Sequence, residues 1–566
     1  MRASREREGD NGNSGARENH RGDPQRWKGQ PEVTGCQNDH TTAETRAVVF
    51  CWGNSSLVHR YVRFLKYLRE KLQCRFLVVT EHVRGRLLFA GYGIDALTLA
   101  DAFQMSSDEQ LSWNPENRDP IYPTEFEEAA GFLGGGTSTF NDAEVNHEYH
   151  RLYDWLVRAF APHWVITWNG GLLCQWALAA VGRHYDLPTF FVERGLFPDT
   201  FFVDPQGVNF AASVAGDRWP PASLPAPSDD DLSILQRQLD DYERHGQSVV
   251  NAGVSESADK IRSALGIPID ARVCLFPLQI ELDTNIRRFS PLFENMADAV
   301  VALENALKAV PGVYLIVKPH PENILDQSLV AERLDSRVCL TTDFDLYSLL
   351  HLCDAVVTIN STVGLEARSL GKPTVTLGDS IYSGKGFTVD LRSMGDLMDD
   401  LRRVFSTIGD SPEGQSFLEA FLVFLFKNRL FSLTKSDSWR SRSSIAGQII
   451  DAGVTGLTRS TSDVRLARLL KENRKLGSWI EQENGETIQK DRKFVLIGTP
   501  PEYLEGDVFE KCFRSTCVVS TIQNLIGAIL ESWVRPFDVA LLIDKPSRKR
   551  RLALRFLRVR DRVQVL

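Results

Sequence analysis

The sequence predicts an α/β protein with largely parallel sheets, and three observations carry that reading. Apolar runs of strand length recur along the chain, each followed by a turn and a segment of helical periodicity. The clearest case is Thr358 to Asp390, TINSTVGLEARSLGKPTVTLGDSIYSGKGFTVD. It reads as a strand end, an Asn-Ser-Thr turn, a short helix, a Gly-Lys-Pro turn, a second strand and a glycine-rich loop. A helix opening directly off a strand turns free N–H groups and the Ser361 and Thr362 hydroxyls toward one spot, which favours an anion such as phosphate. The third observation is size and balance: 566 residues, 43% hydrophobic and 25% charged, suit a soluble chain of two to three domains.

The elements follow in order. Met1 to about Glu44 is rich in Arg, Glu, Gly, Asn and Asp, too poor in large apolar side chains to offset ordering entropy, and is expected to be disordered. Ala47 to Trp52 is a buried-strand pattern, followed after Gly53-Asn54 by a helix with Val58, Tyr61, Phe64, Leu65 and Leu68 on one face and then by the strand Arg75 to Thr80. About Asp101 to Glu148, polar and holding Gly134-Gly135-Gly136, reads as an insertion or mobile loop. A helix from Tyr149 to Ala161, the strand Trp164 to Trp168, the turn Asn169-Gly170-Gly171, a helix and the strand Thr189 to Glu193 resume the pattern.

Trp219 to Asp231 marks an exposed linker, and a helix from about Leu232 to Ala252 bridges two lobes. A second run begins with the strand at Val273, continues through a helix at Pro291 to Ala309, and has strands at Tyr314 to Lys318, Ala355 to Ile359 and Thr374 to Leu377. Phe417 to Phe426 suits a buried closing helix better than a membrane-docking one. Thr458 to Arg492 is charged and helical in pattern. Phe494 to Ile497, Cys517 to Ser520 and Val539 to Ile543 are strand candidates of a small third module, and the last segment, Arg551 to Leu566, is basic and strand-like.

Composition also excludes. A net charge of −9 argues against a nucleic-acid partner. The nine cysteines form no CxxC pair or zinc spacing and fit reduced thiols in a cytoplasmic setting. No run approaches the ~18 apolar residues of a membrane span, and the N-terminus lacks an apolar signal core.

Four segments at strand ends carry candidate chemistry, where ligands bind in open parallel sheets. In FVERGLFPDTFFVDPQGVNF, Glu193 would act as a base or hold a hydroxyl, or form a surface pair with Arg194; Asp204, Gly207 and Asn209 read as hairpin or turn residues. In FPLQIELDTNI, Gln279, Glu281 and Asp283 share one face if the strand continues, and the two carboxylates suit a nucleophile and an acid/base; a solvated strand end is the alternative. In IVKPHPEN, His320 sits rigidly between Pro319 and Pro321 beside Lys318, a pair suited to a phosphate or developing anion, although loop histidines are often structural. In the opening segment, Asn360, Ser361 and Thr362 offer cap and hydroxyl groups, Glu366 would accept from a ribose, and Gly371 and Pro373 end the helix. Ser361 alone would be a plain N-cap, but four such loops in order favour a site.

Together these segments resemble the bacterial capsule polysaccharide biosynthesis proteins, which include retaining β-Kdo glycosyltransferases. The resemblance rests on ERGLFPDTFFVDPQGVN at Glu193 to Asn209, PLQIELDTNI at Pro277 to Ile286, KPHPEN at Lys318 to Asn323 and STVGLEARSLGKPTVTLG at Ser361 to Gly378. It implies a GT-B-like α/β fold, two Rossmann-like lobes with an interdomain cleft, plus a small C-terminal α/β extension. The corresponding divisions are residues 1–45 disordered, 46–265 acceptor lobe, 266–455 donor lobe, 456–492 helical connector and 493–566 extension. It implies CMP-Kdo as donor and retention through a carboxylate nucleophile. Asp283 is the first choice and Glu281 the second, with Glu193 on the acceptor side. Gln279, Lys318, His320, Pro321, Asn360, Ser361, Thr362 and Glu366 would hold the donor. No divalent metal or other cofactor is implied, since His, Lys and a positive helix end would carry the leaving-group charge.

Two departures stand out. The bifunctional members carry two copies of this module and this chain one, and Lys385 stands in the glycine-rich loop where they have an aromatic residue. The expected partners are a nucleotide-sugar donor and a lipid or glycan acceptor. The basic tail from Lys545 to Arg562 would suit either contact with anionic membrane or a solvated strand edge. The alternatives to this reading are a non-catalytic capsule assembly or export partner and a transferase using another nucleotide sugar.

Overall fold

Three sheets form, from the predicted strands together with short strands that the sequence reading did not pick out, at Asp95–Thr98, Thr200–Asp204, Val338–Leu340, Val389–Asp390 and Leu430–Ser432, and the first two repeat one winding. The computed structural model describes residues 45–109, 142–245, 253–321, 335–391, 412–452 and 463–474 with short gaps, together with 494–497, 516–519, 539–542 and 563–565. The expected disorder before residue 45 and the triple glycine at 134–136 lie outside the described residues.

The first lobe runs β1 (Thr45–Phe50), α1 (Ser55–Leu72), β2 (Cys74–Thr80), α2 (Val83–Gly91), β3 (Asp95–Thr98), α3 (Leu99–Ser106), α4 (Asp142–Phe160), β4 (Trp164–Trp168), α5 (Leu173–His184), β5 (Thr189–Arg194) and β6 (Thr200–Asp204). Its sheet has the order β3-β2-β1-β4-β5-β6, parallel through β5, with β6 folding back antiparallel through the turn at 195–199; Asp204, Gly207 and Asn209, expected in a hairpin or turn, lie at the end of β6 and in the loop after it. The strands are Val- and Phe-rich because helices cover both faces. The insertion expected from Asp101 begins later and ends sooner: α3 continues to Ser106, and α4 begins at Asp142. The cause at the front is a capping box, with the Asp101 amide donating to Thr98 Oγ1 at 3.0 Å and the Thr98 amide to Asp101 Oδ2 at 2.9 Å.

α6 (Asp229–His245) leads to the second lobe. That lobe comprises α7 (Ala258–Leu265), β7 (Arg272–Pro277), α8 (Thr284–Phe289), α9 (Met296–Lys308), β8 (Val313–Lys318), β9 (Val338–Leu340), α10 (Leu346–Leu352), β10 (Ala355–Thr358), α11 (Val363–Ser369), β11 (Thr374–Thr376) and β12 (Val389–Asp390). Its sheet, in the order β9-β8-β7-β10-β11-β12, is wholly parallel. Both sheets therefore reverse direction beside their first strand, between β1 and β4 and between β7 and β10, and such switch points are where doubly wound sheets bind ligands.

The chain then returns. After α12 (Pro412–Asn428), β13 (Leu430–Ser432) pairs antiparallel with β6 at the edge of the first sheet, and α13 (Ser441–Asp451) packs against α1. The stretch expected to belong to the second lobe up to residue 455 thus rejoins the first sheet at Leu430. Apolar patterning marks an element as buried but does not say which sheet receives it. Helix α12 buries most of its apolar residues, as a closing helix should, leaving Phe417 half exposed. Of the expected connector, residues 464–471 are helical and lie on the first lobe: Leu466 and Leu470 join its core, and Trp155 Nε1 donates to Asp463 at 2.9 Å. The extension is a parallel sheet of β14 (Phe494–Ile497), β15 (Thr516–Val519), β16 (Val539–Leu542) and β17 (Val563–Val565) in the order β15-β14-β16-β17.

One apolar cluster draws on both lobes. It holds Phe191, Phe202 and Val208 from the first, Leu365, Tyr382 and Phe387 from the second, and Phe421, Leu425 and Phe426 of α12. Trp219, the expected start of an exposed linker, is buried in it against Phe421 and Phe424 at 5.0 and 4.9 Å between ring centres. Lys385 lies here too, buried, its Nζ 5.1 Å from the Phe421 ring centre and donating to the carbonyls of Val214 at 2.8 Å and Gly216 at 3.3 Å. The residue that departs from the family pattern is a tie between two loops.

Candidate active site

A cavity of about 510 Å³ opens where the two switch points meet. The first lobe contributes Trp52 after β1, Trp168 and Asn169 at the end of β4, and Glu193 at the end of β5. The second contributes Pro277 to Ile280 and Asp283 at and after the end of β7, Lys318 to Pro321 at and after the end of β8, and Ser361, Thr362 and Glu366 after β10. Of the residues singled out in the sequence, Glu193, Gln279, Asp283, Lys318, His320, Pro321, Ser361, Thr362 and Glu366 line it. Glu281 lies outside the described residues.

Glu193 is held from both sides. Asn169 Nδ2 donates to its Oε2 at 2.6 Å and the Arg194 amide to its Oε1 at 2.8 Å. Burial pushes its carboxyl up to about 7, against those hydrogen bonds, and the negative charge of Asp283 adds to the rise. Asn169 reaches it from a left-handed backbone conformation, φ 53°, at the turn after β4. The following amides of Gly170, Gly171 and Leu172 all donate to Gln175 Oε1, at 3.1–3.2 Å, which fixes that turn.

The strand after β7 does not continue, so Gln279 and Asp283 do not share an extended edge. The chain breaks at Pro277, and Asp283 becomes the N-cap of α8, its Oδ1 accepting from the Asn285 amide at 2.9 Å. Gln279 is committed to a bracket with Asn360: its Nε2 donates to Asn360 Oδ1 at 2.9 Å and its Oε1 accepts from the Asn360 amide at 3.1 Å. Asn360 Nδ2 donates in turn to the carbonyls of Asn285 and Phe289. Asn360 does not line the cavity; it joins the loops after β7 and β10, and so sets the distance between Asp283 and Ser361.

The remaining second-lobe groups face the cavity with capacity to spare. Lys318 is buried, its ammonium makes no hydrogen bond among the described residues, and burial holds its basicity below the ordinary lysine value despite Asp345 and Asp343 nearby. Thr362 starts α11 without capping it through its side chain, while Ser361 Oγ accepts from the Val363 amide at 3.3 Å. α11 spans only seven residues, so the hydroxyls and Lys318 matter more here than a helix dipole. Its close seating requires Gly364, where a Cβ would run into the Tyr382 hydroxyl.

Glu366 is fully buried. Its Oε2 accepts from the Tyr242 hydroxyl of α6, its Oε1 has no hydrogen-bond partner among the described residues, and burial pushes its carboxyl up to about 7. Sequence reading missed Trp52, Trp168, Asn169 and Tyr242. Asn169 had a signal, an Asn-Gly-Gly turn closing a strand; Tyr242 had none, because its partner lies 124 residues away. Among the described residues, no three His, Cys, Asp or Glu side chains are placed to hold a metal.

Two doubly wound lobes with facing switch points and a shared cleft define a GT-B-like α/β protein. Residues 231–397 match the family described as capsule polysaccharide biosynthesis protein, a stretch that holds three of the four segments. Protein FixF of Sinorhizobium fredii (strain NBRC 101917 / NGR234) is 28% identical over 288 residues, 51% of this chain and 64% of its own length. Capsule polysaccharide export protein KpsS of Escherichia coli is 30% identical over 139 residues, 23% of this chain and 36% of its own length. The chain thus spans less than two thirds of either curated relative. A solved structure of Thermosulfurimonas dismutans KpsC, beta Kdo 2,4 transferase, is 20% identical, covers 45% of this chain and 78% of that one, and has a TM-score of 0.33, a distant likeness.

Proposed function

We infer that this chain is a glycosyltransferase of capsule or surface polysaccharide synthesis that uses a nucleotide-activated sugar. The observation that carries the reading is one cavity holding, among the described residues, the ammonium of a buried lysine that makes no hydrogen bond, Lys318, and a buried carboxylate oxygen without a partner, Glu366 Oε1. A cation of this kind suits a phosphate and the carboxylate suits the hydroxyls of a ribose, so the pair fits a nucleotide. His320, Ser361 and Thr362 border the same space and would complete the phosphate cradle.

The family resemblance supports CMP-Kdo as the donor and retention as the outcome. On this reading the Asp283 carboxylate attacks the anomeric carbon, the bond from that carbon to the phosphate oxygen breaks, and CMP leaves with the bonding electrons. The phosphate is a good leaving group, so no acid is required of the protein at that step. Glu193 then takes the proton of an acceptor hydroxyl, whose oxygen attacks the glycosyl ester and frees Asp283. Trp52 and Trp168, on the Glu193 side, offer flat apolar walls for a sugar ring of the acceptor. The phosphate charge falls to Lys318 and His320, and no metal enters the scheme.

The test is incubation with CMP-Kdo and a panel of lipid and glycan acceptors, followed by product mass. Transfer of one Kdo is the expected result. CMP release and transfer both absent, with binding intact, would favour the second reading, a non-catalytic export partner, which the name of the E. coli relative suggests. Thermal stabilisation by UDP or GDP rather than CMP would move the donor to another nucleotide sugar.

A further inference from the structure

A second concavity, about 440 Å³, lies between α1, β13 and α13 and shares no lining residue with the cleft. Arg63, Lys66 and Arg442 line it, with Tyr67 and Phe431 as aromatic wall and floor. The cations are part of a longer row. On a chain of net charge −9, α1 carries Arg60, Arg63, Lys66, Arg69 and Lys71 against the single acid Glu70. Its opposite face is locked into the core through Val58, Tyr61, Phe64, Leu65 and Leu68, so the row is presented on a rigid support.

Among the described residues, Arg60, Arg63 and Lys66 make no ion pair. Lys66 Nζ lies 5.1 Å from the Tyr92 ring centre, Arg442 extends over the Tyr67 ring at 5.8 Å, and its Nε donates to the Ser432 carbonyl at 2.9 Å. Glu70, which also lines the concavity, is the one acid of α1 against its five cations, and like charges crowded this way repel one another unless something anionic neutralises them. The row from Arg60 to Lys71 runs roughly 17 Å along the helix, too far for one phosphate and suited to several headgroups in a plane. Tyr67, apolar in body and polar at its tip, fits the same boundary.

We propose that the cationic face of α1, with Arg442 and the concavity between them, is the surface by which this chain docks on an anionic lipid bilayer. The helix begins at the cleft, where Leu57 lines the cavity. This differs from docking through the basic tail at Lys545 to Arg562 and does not depend on the transferase reading.

The test is co-flotation of the full chain with phosphatidylcholine vesicles, with and without phosphatidylglycerol. Binding is expected only to the anionic vesicles and is expected to weaken with salt. Combining Arg63→Glu and Lys66→Glu should reduce partitioning at least about tenfold, and the Gln pair less, with thermal unfolding unchanged. A chain with Arg548, Lys549, Arg550 and Arg551 replaced by Gln should still bind. Undiminished binding of the Glu pair, loss in the tail variant alone, equal binding to neutral vesicles, or release by inorganic phosphate at constant ionic strength would each overturn the proposal. Transfer to a soluble acceptor should be untouched by the α1 variants, which separates this result from the fate of the catalytic assignment.

Discussion

Replacing Glu366 with Gln isolates the carboxyl at the floor of the cleft. Its side chain is fully buried, and burial raises its carboxyl from 4.5 to about 7. The unfolded chain releases that proton near the ordinary carboxylate value, while the folded chain keeps it until about pH 7. Between those values the folded state binds more protons, so wild-type stability falls as pH rises, by about 1.4 kcal/mol per pH step. The loss reaches about 3 kcal/mol at pH 7 and is complete above it. Gln keeps an oxygen to accept from Tyr242 and does not titrate. Urea unfolding of E366Q and wild type, compared from pH 4.5 to above 7, should therefore show E366Q gaining about 3 kcal/mol relative to wild type across that window. A difference that stays flat with pH would refute the raised carboxyl. The same variant loses a charged acceptor for the ribose, so the Kd for CMP should rise about tenfold or more. Unchanged CMP affinity would remove Glu366 from the donor site while leaving the stability argument standing.

The two carboxylates proposed as nucleophile and base separate in the same way. Asp283→Asn should lower transfer at least about a thousandfold while CMP still stabilises the protein in a thermal shift, and loss of both would mean a folding defect instead. With Glu193 as base, acceptor-side kcat/KM should rise with pH through about 7, and Glu193→Gln should flatten that limb. Activity should survive EDTA; its loss, with recovery on adding a divalent cation, would show that a metal carries the phosphate charge. Lys385→Met should cost about 2–4 kcal/mol in urea unfolding, because it leaves the Val214 and Gly216 carbonyls without that donor inside an apolar cluster.

What the sequence disclosed was local. Strand ends followed by polar turns located Glu193, Asp283, Lys318, His320, Ser361, Thr362 and Glu366, and all seven line one cavity because parallel sheets gather those ends on one side. Positions that depend on long-range partners were not legible. Gln279 and Asn360 looked like ligands by residue type and are bound to each other, 81 residues apart. The expected alternation through Glu281 assumed a continuing strand, whereas Asp283 caps a helix that starts there. The capping box at Thr98 and Asp101 was readable and would have carried α3 into the expected insertion. The return of β13 to the first sheet was not, since Leu430 to Ser432 pair with Phe202 to Thr200 across more than two hundred residues.

That return explains how the site stays assembled. Glu193 and Asp283 come from different sheets, so their spacing depends on what joins the lobes. α12 carries the chain back toward the first lobe, and its Phe421, Leu425 and Phe426 join Phe191 and Phe202 of the first lobe with Leu365 and Tyr382 of the second in one apolar cluster. From that cluster Tyr382 donates to the Ser361 carbonyl, while Tyr242 of α6, its ring 6.0 Å from that of Phe197 in the cluster, donates to Glu366, so groups lining the cavity are held by side chains in or against the shared core. A large-to-small change at Phe421 would leave every cavity residue in place by sequence and still loosen their spacing. The structure therefore assigns to the closing helix a part in setting the site as well as in stability.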